Sequence, residues 1–343
     1  MHFDVGVIGA GPAGLSAAFG LKANGVNVAV FEKYLWGGTC PNYGCDPKKF
    51  LVSATDALRH TQLLQGKGIT GNLKVDWPTL MKRKEGYTSL TPEKTLNGLK
   101  SSGIPSFSGL ATFIDENTIE LPDGQQIHAD KWILAMGQMP RKVQFSGSNF
   151  ALSSEDFLKM PEMPEDITFI GAGYIAVEFA SLANLAGSQV RLIIRGDKAL
   201  RGFDEELTTE LMEEFKQRGI ELLYESSVES LSQQNGKILV KLTNEKEFLT
   251  DKVFAATGRV ANIQGMNLEK AGVQYDENGI LVDDKLMTSN PTIFAIGDVA
   301  KAGVPKLTPV GAYQGRYIAR FISENLDEPI TYPVIPTTVF ASP

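Results

Sequence analysis

Both cysteines of this chain lie in one short segment, residues 37–49, which reads Gly-Gly-Thr-Cys-Pro-Asn-Tyr-Gly-Cys-Asp-Pro-Lys-Lys. Cys40 and Cys45 are the only two cysteines among 343 residues. Two thiols at this spacing can close a small disulfide ring, which takes up and returns two electrons by thiol–disulfide exchange. The segment is therefore the part of the chain whose residue types most directly indicate chemistry.

Three other roles for the cysteines compete with redox chemistry. Zinc binding needs about four nitrogen or sulfur ligands, and the three histidines, His2, His60 and His128, are scattered along the sequence. We therefore expect no metal site. A static disulfide is typical of secreted proteins, and nothing else in the chain suggests secretion. Inert buried thiols are common for isolated cysteines, but the surrounding residues favour a redox pair.

A dinucleotide-binding pattern precedes the cysteine segment. The sequence predicts a strand over 3–8, a glycine-rich turn over 9–14 and a helix that continues to about Asn24. A second predicted strand, Val26–Phe31, leads to Glu32. A strand, a GxGxxG turn, a helix, a strand and an acid in this order are typical of dinucleotide binding, whereas the glycines alone indicate only a turn.

Each glycine of this turn, and the acid after the second strand, has a physical role. Gly9 makes the tight turn, and Gly11 lets the backbone approach a pyrophosphate at the helix N-terminus. Gly14 permits close packing of the helix on the strand, and Glu32 can hydrogen-bond a ribose hydroxyl. The first part of the chain is therefore predicted to bind a dinucleotide.

A second pattern of the same kind begins at Ile167. The predicted strand 167–170 leads to Gly171, Gly173 and Ala176, then to a helix ending near Ala186 and a strand over 190–194. Alanine in the third glycine position still allows close packing. Two patterns in one chain indicate two dinucleotides.

The second pattern lacks the acid at its strand end. Ile194 takes that place, and Arg195 and Arg201 follow it. An acid recognises the 2′-hydroxyl of NAD, whereas arginine accommodates the 2′-phosphate of NADP. Although loop arginines are often merely solvated, the joint pattern predicts NADPH.

Composition excludes several other classes of protein. The net charge is −7 without a long basic run, which argues against nucleic acid and anionic membrane surfaces as partners. No signal peptide and no apolar stretch of about 20 residues is visible, so a cytoplasmic protein is predicted. Residues 47–100 are predicted to be mostly helical, with a break near 66–72.

The cysteine segment resembles that of the FAD-dependent class I pyridine nucleotide–disulfide oxidoreductases, the glutathione reductase and lipoamide dehydrogenase type. That family usually has Gly-Gly-Thr-Cys-Val-Asn-Val-Gly-Cys-Val-Pro-Ser/Lys-Lys, so this chain departs at Pro41, Tyr43 and Asp46. The departures keep both thiols, while Asp46 adds a negative charge beside Cys45. The resemblance assigns FAD to the first pattern and the nicotinamide cofactor to the second.

The resemblance also assigns catalytic roles. In this family NADPH reduces the flavin, the flavin reduces the disulfide, and the dithiol reduces a substrate. Cys40 would exchange with the substrate and Cys45 would face the flavin. Lys48 and Glu178 match an ion pair near the flavin and nicotinamide, where a cation stabilises reduced flavin. Tyr174 matches the residue that covers the flavin until the nicotinamide arrives.

Further cofactor contacts follow from the same resemblance. Residues 292–298 look like the second FAD motif, whose aspartate contacts the ribityl chain, and residues 306–310 look like a segment under the flavin ring. Residues 135–137 and 256–259 look like the exits of the two nucleotide-binding domains, with Met136 in place of the usual threonine. The residues expected to contact a cofactor in these segments and in the cysteine segment are Gly38, Thr39, Gly137, Gly258, Gly297 and Asp298.

The predicted fold class is α/β, with two Rossmann-like domains, the second inserted in the first. We expect a FAD-binding domain over 1–152, a nicotinamide-binding domain over 153–261 and a return to the FAD domain over 262–330. Residues 331–343 would be the beginning of the C-terminal interface domain of the family. That domain supplies the dimer contact and a His–Glu acid–base pair, so we expect a homodimer for a full-length form and a monomer or weak dimer for this chain.

The substrate is open at this level. Family members that bind glutathione use a serine and an arginine where this chain has Pro12 and Phe19, and the two loop arginines disfavour lipoamide. Mercuric ion would need a C-terminal thiol pair. Two hypotheses remain: an NADPH-dependent reductase of a small-molecule disulfide or another electron acceptor, and a flavin- and nucleotide-binding module limited to diaphorase or quinone-reductase activity.

Overall fold

The structure is a computed structural model that describes residues 1–342. Its α-helices are α1 Pro12–Ala23, α2 Thr39–Tyr43, α3 Cys45–Leu63, α4 Trp77–Thr88, α5 Thr91–Ser101, α6 Ser154–Phe157, α7 Tyr174–Leu185, α8 Glu205–Gln217 and α9 Thr308–Ser323. Single 3₁₀ turns lie at Ser148–Phe150 and Gly297–Val299. None of the helices in this described part is long and apolar enough to cross a membrane.

The strands are short and belong to several sheets. In chain order they are β1 His2–Ile8, β2 Val28–Glu32, β3 Ser106–Ser108, β4 Thr112–Phe113, β5 Thr118–Glu120, β6 Gln126–Leu134, β7 Gln138–Pro140, β8 Ala151–Leu152, β9 Asp166–Ile170, β10 Gln189–Ile193, β11 Glu221–Leu223, β12 Val228–Gln234, β13 Lys237–Leu242, β14 Glu247–Thr250, β15 Lys252–Ala255, β16 Arg259–Ala261, β17 Tyr275–Asp276, β18 Gly279–Leu281, β19 Ile293–Ala295 and β20 Ala300–Lys301.

The chain divides into two compact units. The first contains Met1–Cys45, Thr88–Met139 and Val260–Pro336. The second contains Asp46–Tyr87, Pro140–Arg259 and the residues from Thr337 to the end of the described chain. The assignment of a dinucleotide to each part, with boundaries at 152, 261 and 330, stays a prediction.

The first unit is built on a sheet with the strand order β3-β2-β1-β6-β5-β4, in which β19 also pairs with β6. β1 runs parallel to both β2 and β6, and its side chains are buried from Val5 to Ile8. Strands buried on both faces are typical of parallel sheets covered by helices. On one face α1 and α9 pack so closely that a methyl group at Gly315 would lie only 2.4 Å from the Ala13 carbonyl oxygen.

The second unit contains a parallel sheet with the order β11-β10-β9-β15-β8 and an antiparallel sheet of β12, β13 and β14. Helix α7 connects β9 to β10, and α8 connects β10 to β11, which is the βαβ arrangement of a dinucleotide-binding fold. The predicted α/β fold class with two Rossmann-like parts is confirmed.

Candidate active site

The first glycine-rich turn is held by backbone packing. Gly9 has φ +109°, and a methyl group there would lie 2.4 Å from the Ala135 carbonyl oxygen. A methyl group at Gly14 would lie 1.9 Å from the Gly9 carbonyl oxygen. These two glycines are therefore required by the fold itself, whether or not a ligand binds.

Gly11 differs from its neighbours because its space is open. It caps the N-terminus of α1 with an ordinary φ of −79°, and no side chain of the described residues caps that end. The nearest atom to a methyl group at Gly11 would be Gly38 Cα, at 3.8 Å. Nothing among residues 1–342 requires glycine here, whereas a pyrophosphate approaching the helix N-terminus would. The turn therefore fits a dinucleotide.

Glu32 is fixed beside this turn. Its two carboxylate oxygens accept hydrogen bonds from the backbone N–H groups of Ala10 and Tyr34, each at 2.9 Å. Because a carboxylate has about four acceptor positions, further lone pairs remain for a ribose hydroxyl. The structure thus places the predicted acid at the predicted turn.

The cysteine segment packs directly on the same turn. The Gly37 N–H donates to the Ala10 carbonyl at 3.1 Å, and Gly38, with φ +73°, lies against Gly11. The Asn42 side chain donates to the Gly38 carbonyl at 2.8 Å and to the Trp36 carbonyl at 3.0 Å. Asn42 was not singled out in the sequence analysis, although its place between the cysteines was a usable signal.

The two cysteines are both partly buried, with Cys40 on α2 and Cys45 at the start of α3. The Cys45 sulfur lies 3.7 Å from the Thr308 hydroxyl at the start of α9. The structure therefore joins Cys45 to the 306–310 segment that the sequence analysis placed under the flavin.

Gly297 and Asp298 follow β19 and lie at the first turn of α1. Gly297 has φ +69°, and a methyl group there would lie 2.9 Å from Ala13 Cβ. Its N–H donates to Gln314 at 2.6 Å, and the Gln314 side chain is almost fully buried. Lys306 donates to the Asp298 carbonyl at 2.8 Å, and burial lowers the pKa of Lys306 against the opposing effect of the Asp298 carboxylate.

The domain exits predicted from the sequence lie against the turns of their own units. The Met136 and Gly137 carbonyls accept hydrogen bonds from Asn262 at 3.3 and 3.1 Å. In the second unit a methyl group at Gly171, with φ +124°, would lie 2.4 Å from the Ala256 carbonyl oxygen. Gly258 has φ +119°. Because Ala135 limits the space at Gly9 in the same way, also at 2.4 Å, the two exits have equivalent contacts with their turns.

The second glycine-rich turn has the same geometry as the first. Gly173 caps α7 with φ −79°, and a methyl group there would meet no described atom within 4 Å. Tyr174 is the first residue of α7 and is 43% exposed, as a movable cover requires. Its predicted role stays a prediction.

The predicted arginines follow β10, where Ile194 is buried in the place of an acid. Arg195 and Arg201 are both exposed, and Arg201 lies 3.3 Å from Asp197 in an exposed ion pair. A pair of this kind contributes little, so both guanidinium groups are available to an anionic ligand.

Lys48 and Glu178 form a buried ion pair in the second unit, with 2.5 Å between Nζ and Oε2. Glu178 is 2% exposed, and its other oxygen accepts the Phe340 N–H at 2.8 Å. The Phe340 ring lies 4.5 Å from the Lys48 ammonium and 4.6 Å from that of Lys49. Sequence reasoning missed Phe340, because its contacts span 162 residues.

Arg218 ties the chain end to the helix that carries Glu178. Its guanidinium donates to the Ser342 carbonyl at 2.6 Å and to the Ser181 carbonyl and hydroxyl at 3.2 and 3.3 Å. Burial, with a smaller effect of Arg59, lowers the pKa of Arg218 to about 10. The segment that follows Thr337 is thus held at two places: the Phe340 N–H donates to Glu178, and the Ser342 carbonyl accepts from Arg218.

The burial of this pair predicts a large effect on stability. Glu178→Ala should lower the free energy of unfolding by about 3–5 kcal/mol, because it leaves a buried, uncompensated lysine. The matched control is Glu213→Ala, which removes the partner of Lys216 from a pair with the same 2.5 Å separation but half-exposed side chains. Urea unfolding should show no measurable loss of unfolding free energy for Glu213→Ala. Equal losses in both variants would contradict the account of Glu178.

The βαβ arrangement of a dinucleotide-binding fold is present twice, and the segment that carries the cysteine pair packs on the first turn, which is an arrangement that suits an oxidoreductase. The sequence profile described as pyridine nucleotide-disulphide oxidoreductase matches residues 3–315. The chain belongs to this family, and both the predicted resemblance and the predicted enzyme class, a flavoprotein disulfide reductase, are confirmed.

Two glutathione reductases and a mercuric reductase are similar in sequence to this chain. The chain is 33% identical over 355 residues to the glutathione reductase of Nostoc sp. and 34% identical over 343 residues to that of Burkholderia cepacia. These matches cover 99% of this chain and 77% and 76% of the relatives. The mercuric reductase of Staphylococcus aureus is 31% identical over an alignment of 350 residues, which covers 99% of this chain and 63% of that protein.

Proposed function

We propose that this chain binds FAD at the first turn and NADPH at the second, and passes electron pairs to Cys40 and Cys45 and then to a small-molecule disulfide. The observation that carries the proposal is the packing of the cysteine segment on the first turn, with Gly38 against Gly11 and the Gly37 N–H on the Ala10 carbonyl. A ligand whose pyrophosphate occupies that turn lies beside the cysteine segment.

The bound cofactors would supply hydride transfer, which the protein's own side chains cannot perform. The disulfide gains two electrons and two protons to become two thiols. The Cys40 thiolate then attacks one sulfur of the substrate disulfide and releases the other half as a thiol. Cys45 attacks the mixed disulfide, which releases the second half and restores the Cys40–Cys45 bond. In this scheme Cys45, whose sulfur lies against Thr308, is the thiol on the flavin side.

Lys48 has an electrostatic role in this proposal. It lies one helical turn after Cys45 on α3, and its charge is oriented by Glu178. A preorganised cation near developing negative charge is typically worth about 10²–10³ in rate. The carboxylate in turn is oriented by the Phe340 N–H, so the position of the cation is fixed before any ligand arrives.

Diaphorase or quinone-reductase activity is the second candidate function. It needs only the two dinucleotides and no disulfide chemistry. Its specific support is that both glycine-rich turns are complete in the described residues. A protein that reduces a quinone but leaves its cysteines unchanged would favour this function.

The open space at Gly11 and Gly173 allows a test that separates ligand binding from folding. Gly11→Ala should fold, and its affinity for FAD should fall by roughly tenfold or more, which is about 1.4 kcal/mol or more. The reason is that only the pyrophosphate needs that space. Gly173→Ala should keep its FAD and weaken NADPH to a similar extent. Flavin absorbance after gel filtration and NADPH titration measure the two effects.

The control for both is Gly86→Ala on α4, where a methyl group also meets no described atom within 4 Å. It should change neither cofactor, and far-ultraviolet circular dichroism should show all three variants folded. Gly11→Ala with full FAD content would overturn the assignment of FAD to the first turn.

A further inference from the structure

Two of the three histidines meet on the first sheet although 126 positions separate them in sequence. His2 on β1 and His128 on β6 are register partners of the parallel pair. Their rings stack with centroids 5.3 Å apart and an interplanar angle of 21°. The histidines are scattered in sequence, and their pairing was missed because strand pairing over this distance leaves no local signal.

An aspartate completes the group. Asp130 lies two residues after His128 on β6, so it shares a face of the sheet with it. Its Oδ1 is 2.8 Å from His2 Nε2. One ligand atom from each of His2, His128 and Asp130 lies within 4.8 Å of the other two.

The geometry needs only small adjustments to hold an ion. Ligands at about 2.0–2.2 Å from a tetrahedral zinc lie about 3.4 Å from one another. The side chains of His2 and Asp130 are 55% and 54% exposed, so they can rotate inward without disturbing the core. The Thr118 hydroxyl lies 3.4 Å from His128 Nδ1, which leaves Nε2 of that ring for a metal.

We propose that His2, His128 and Asp130 form a surface site for one divalent transition-metal ion of the zinc or nickel type, with water completing its coordination. Two imidazoles and one carboxylate suit these metals, whereas calcium and magnesium prefer oxygen ligands only. Binding replaces the hydrogen bond between His2 Nε2 and Asp130 Oδ1.

The site would act on the structure and not on the redox reaction. It links β1 to β6 at the start of β1, whose seven residues end at Ile8 just before the first glycine-rich turn. At about 3.3 Å per residue the ion lies roughly 20 Å along the strand from that turn. Its effect is to tie the N-terminal strand to its neighbour.

The test uses the full chain without a histidine tag, with Cys40→Ser and Cys45→Ser so that thiolates supply no ligands. Nickel added to protein with labelled histidines should broaden the imidazole signals of His2 and His128 and leave the signal of His60, on α3, sharp. Calorimetry with zinc should give one ion per chain. His128→Gln should weaken zinc at least tenfold, and the matched control His60→Gln should not change it.

Several outcomes would overturn the site. They are no zinc binding in calorimetry, equal broadening of all three histidine signals, and unchanged zinc affinity in His128→Gln. Circular dichroism of His128→Gln should show a folded protein, so that weaker zinc binding reports the loss of a ligand and not unfolding.

Discussion

Cys40→Ser is expected to show a long-wavelength absorbance band without any reductant, and Cys45→Ser is expected to show none. In the first variant the remaining thiolate is Cys45, which lies against Thr308 in the segment assigned to the flavin face. In the second the remaining thiol is Cys40, assigned to the substrate. Both variants should lose disulfide reduction completely, because exchange needs two thiols.

The comparison for this result is the unmodified protein after reduction by two electrons. It should show the same band as Cys40→Ser, because its Cys45 is then a thiolate. The absorbance spectrum of the flavin-containing protein measures all three. Identical spectra for the two serine variants would show that the roles of the cysteines are wrongly assigned.

Arg195→Gln combined with Arg201→Gln is expected to abolish a preference for NADPH over NADH of roughly a hundredfold or more. A hydrogen bond to a charged group contributes about 1.5–3 kcal/mol, and about 1.4 kcal/mol corresponds to a factor of ten. The exposed contact of Arg201 with Asp197 does not compete strongly with a phosphate. Stopped-flow rates of flavin reduction by the two cofactors measure the preference.

Lys198→Gln is the matched control for the arginines. Lys198 lies in the same loop, but its ammonium is paired with Glu205 at 2.5 Å in an exposed contact. Removal of the Lys198 charge should change the preference for NADPH over NADH by less than about twofold, since an exposed pair contributes little. Equal reduction rates with NADPH and NADH in the unmodified protein would overturn the NADP assignment.

The local parts of the fold could be predicted from the sequence. The helix expected to continue to about Asn24 is Pro12–Ala23, and the strand expected from Val26 begins at Val28. The helical region 47–100 with its polar break is present as three helices. Hydrophobic runs and glycine-rich turns within a few residues of each element determine where it lies, so these elements can be predicted from the local sequence.

The long-range contacts of the site could not be predicted in this way. Gln314 on the N–H of Gly297, Phe340 on Glu178 and Arg218 on Ser342 each depend on how distant segments pack. The stacked pair of His2 and His128 depends on the register of β1 and β6. No periodicity or motif within a window of the sequence encodes such a register.

The most direct measurement is an anaerobic thiol count before and after addition of NADPH. The chain has only two cysteines, so the count reports Cys40 and Cys45 without ambiguity. We expect no reactive thiol in the oxidised, FAD-containing protein under denaturing conditions, and two after NADPH. Reduction of the flavin with the thiol count unchanged would contradict the transfer of electrons to the cysteine pair.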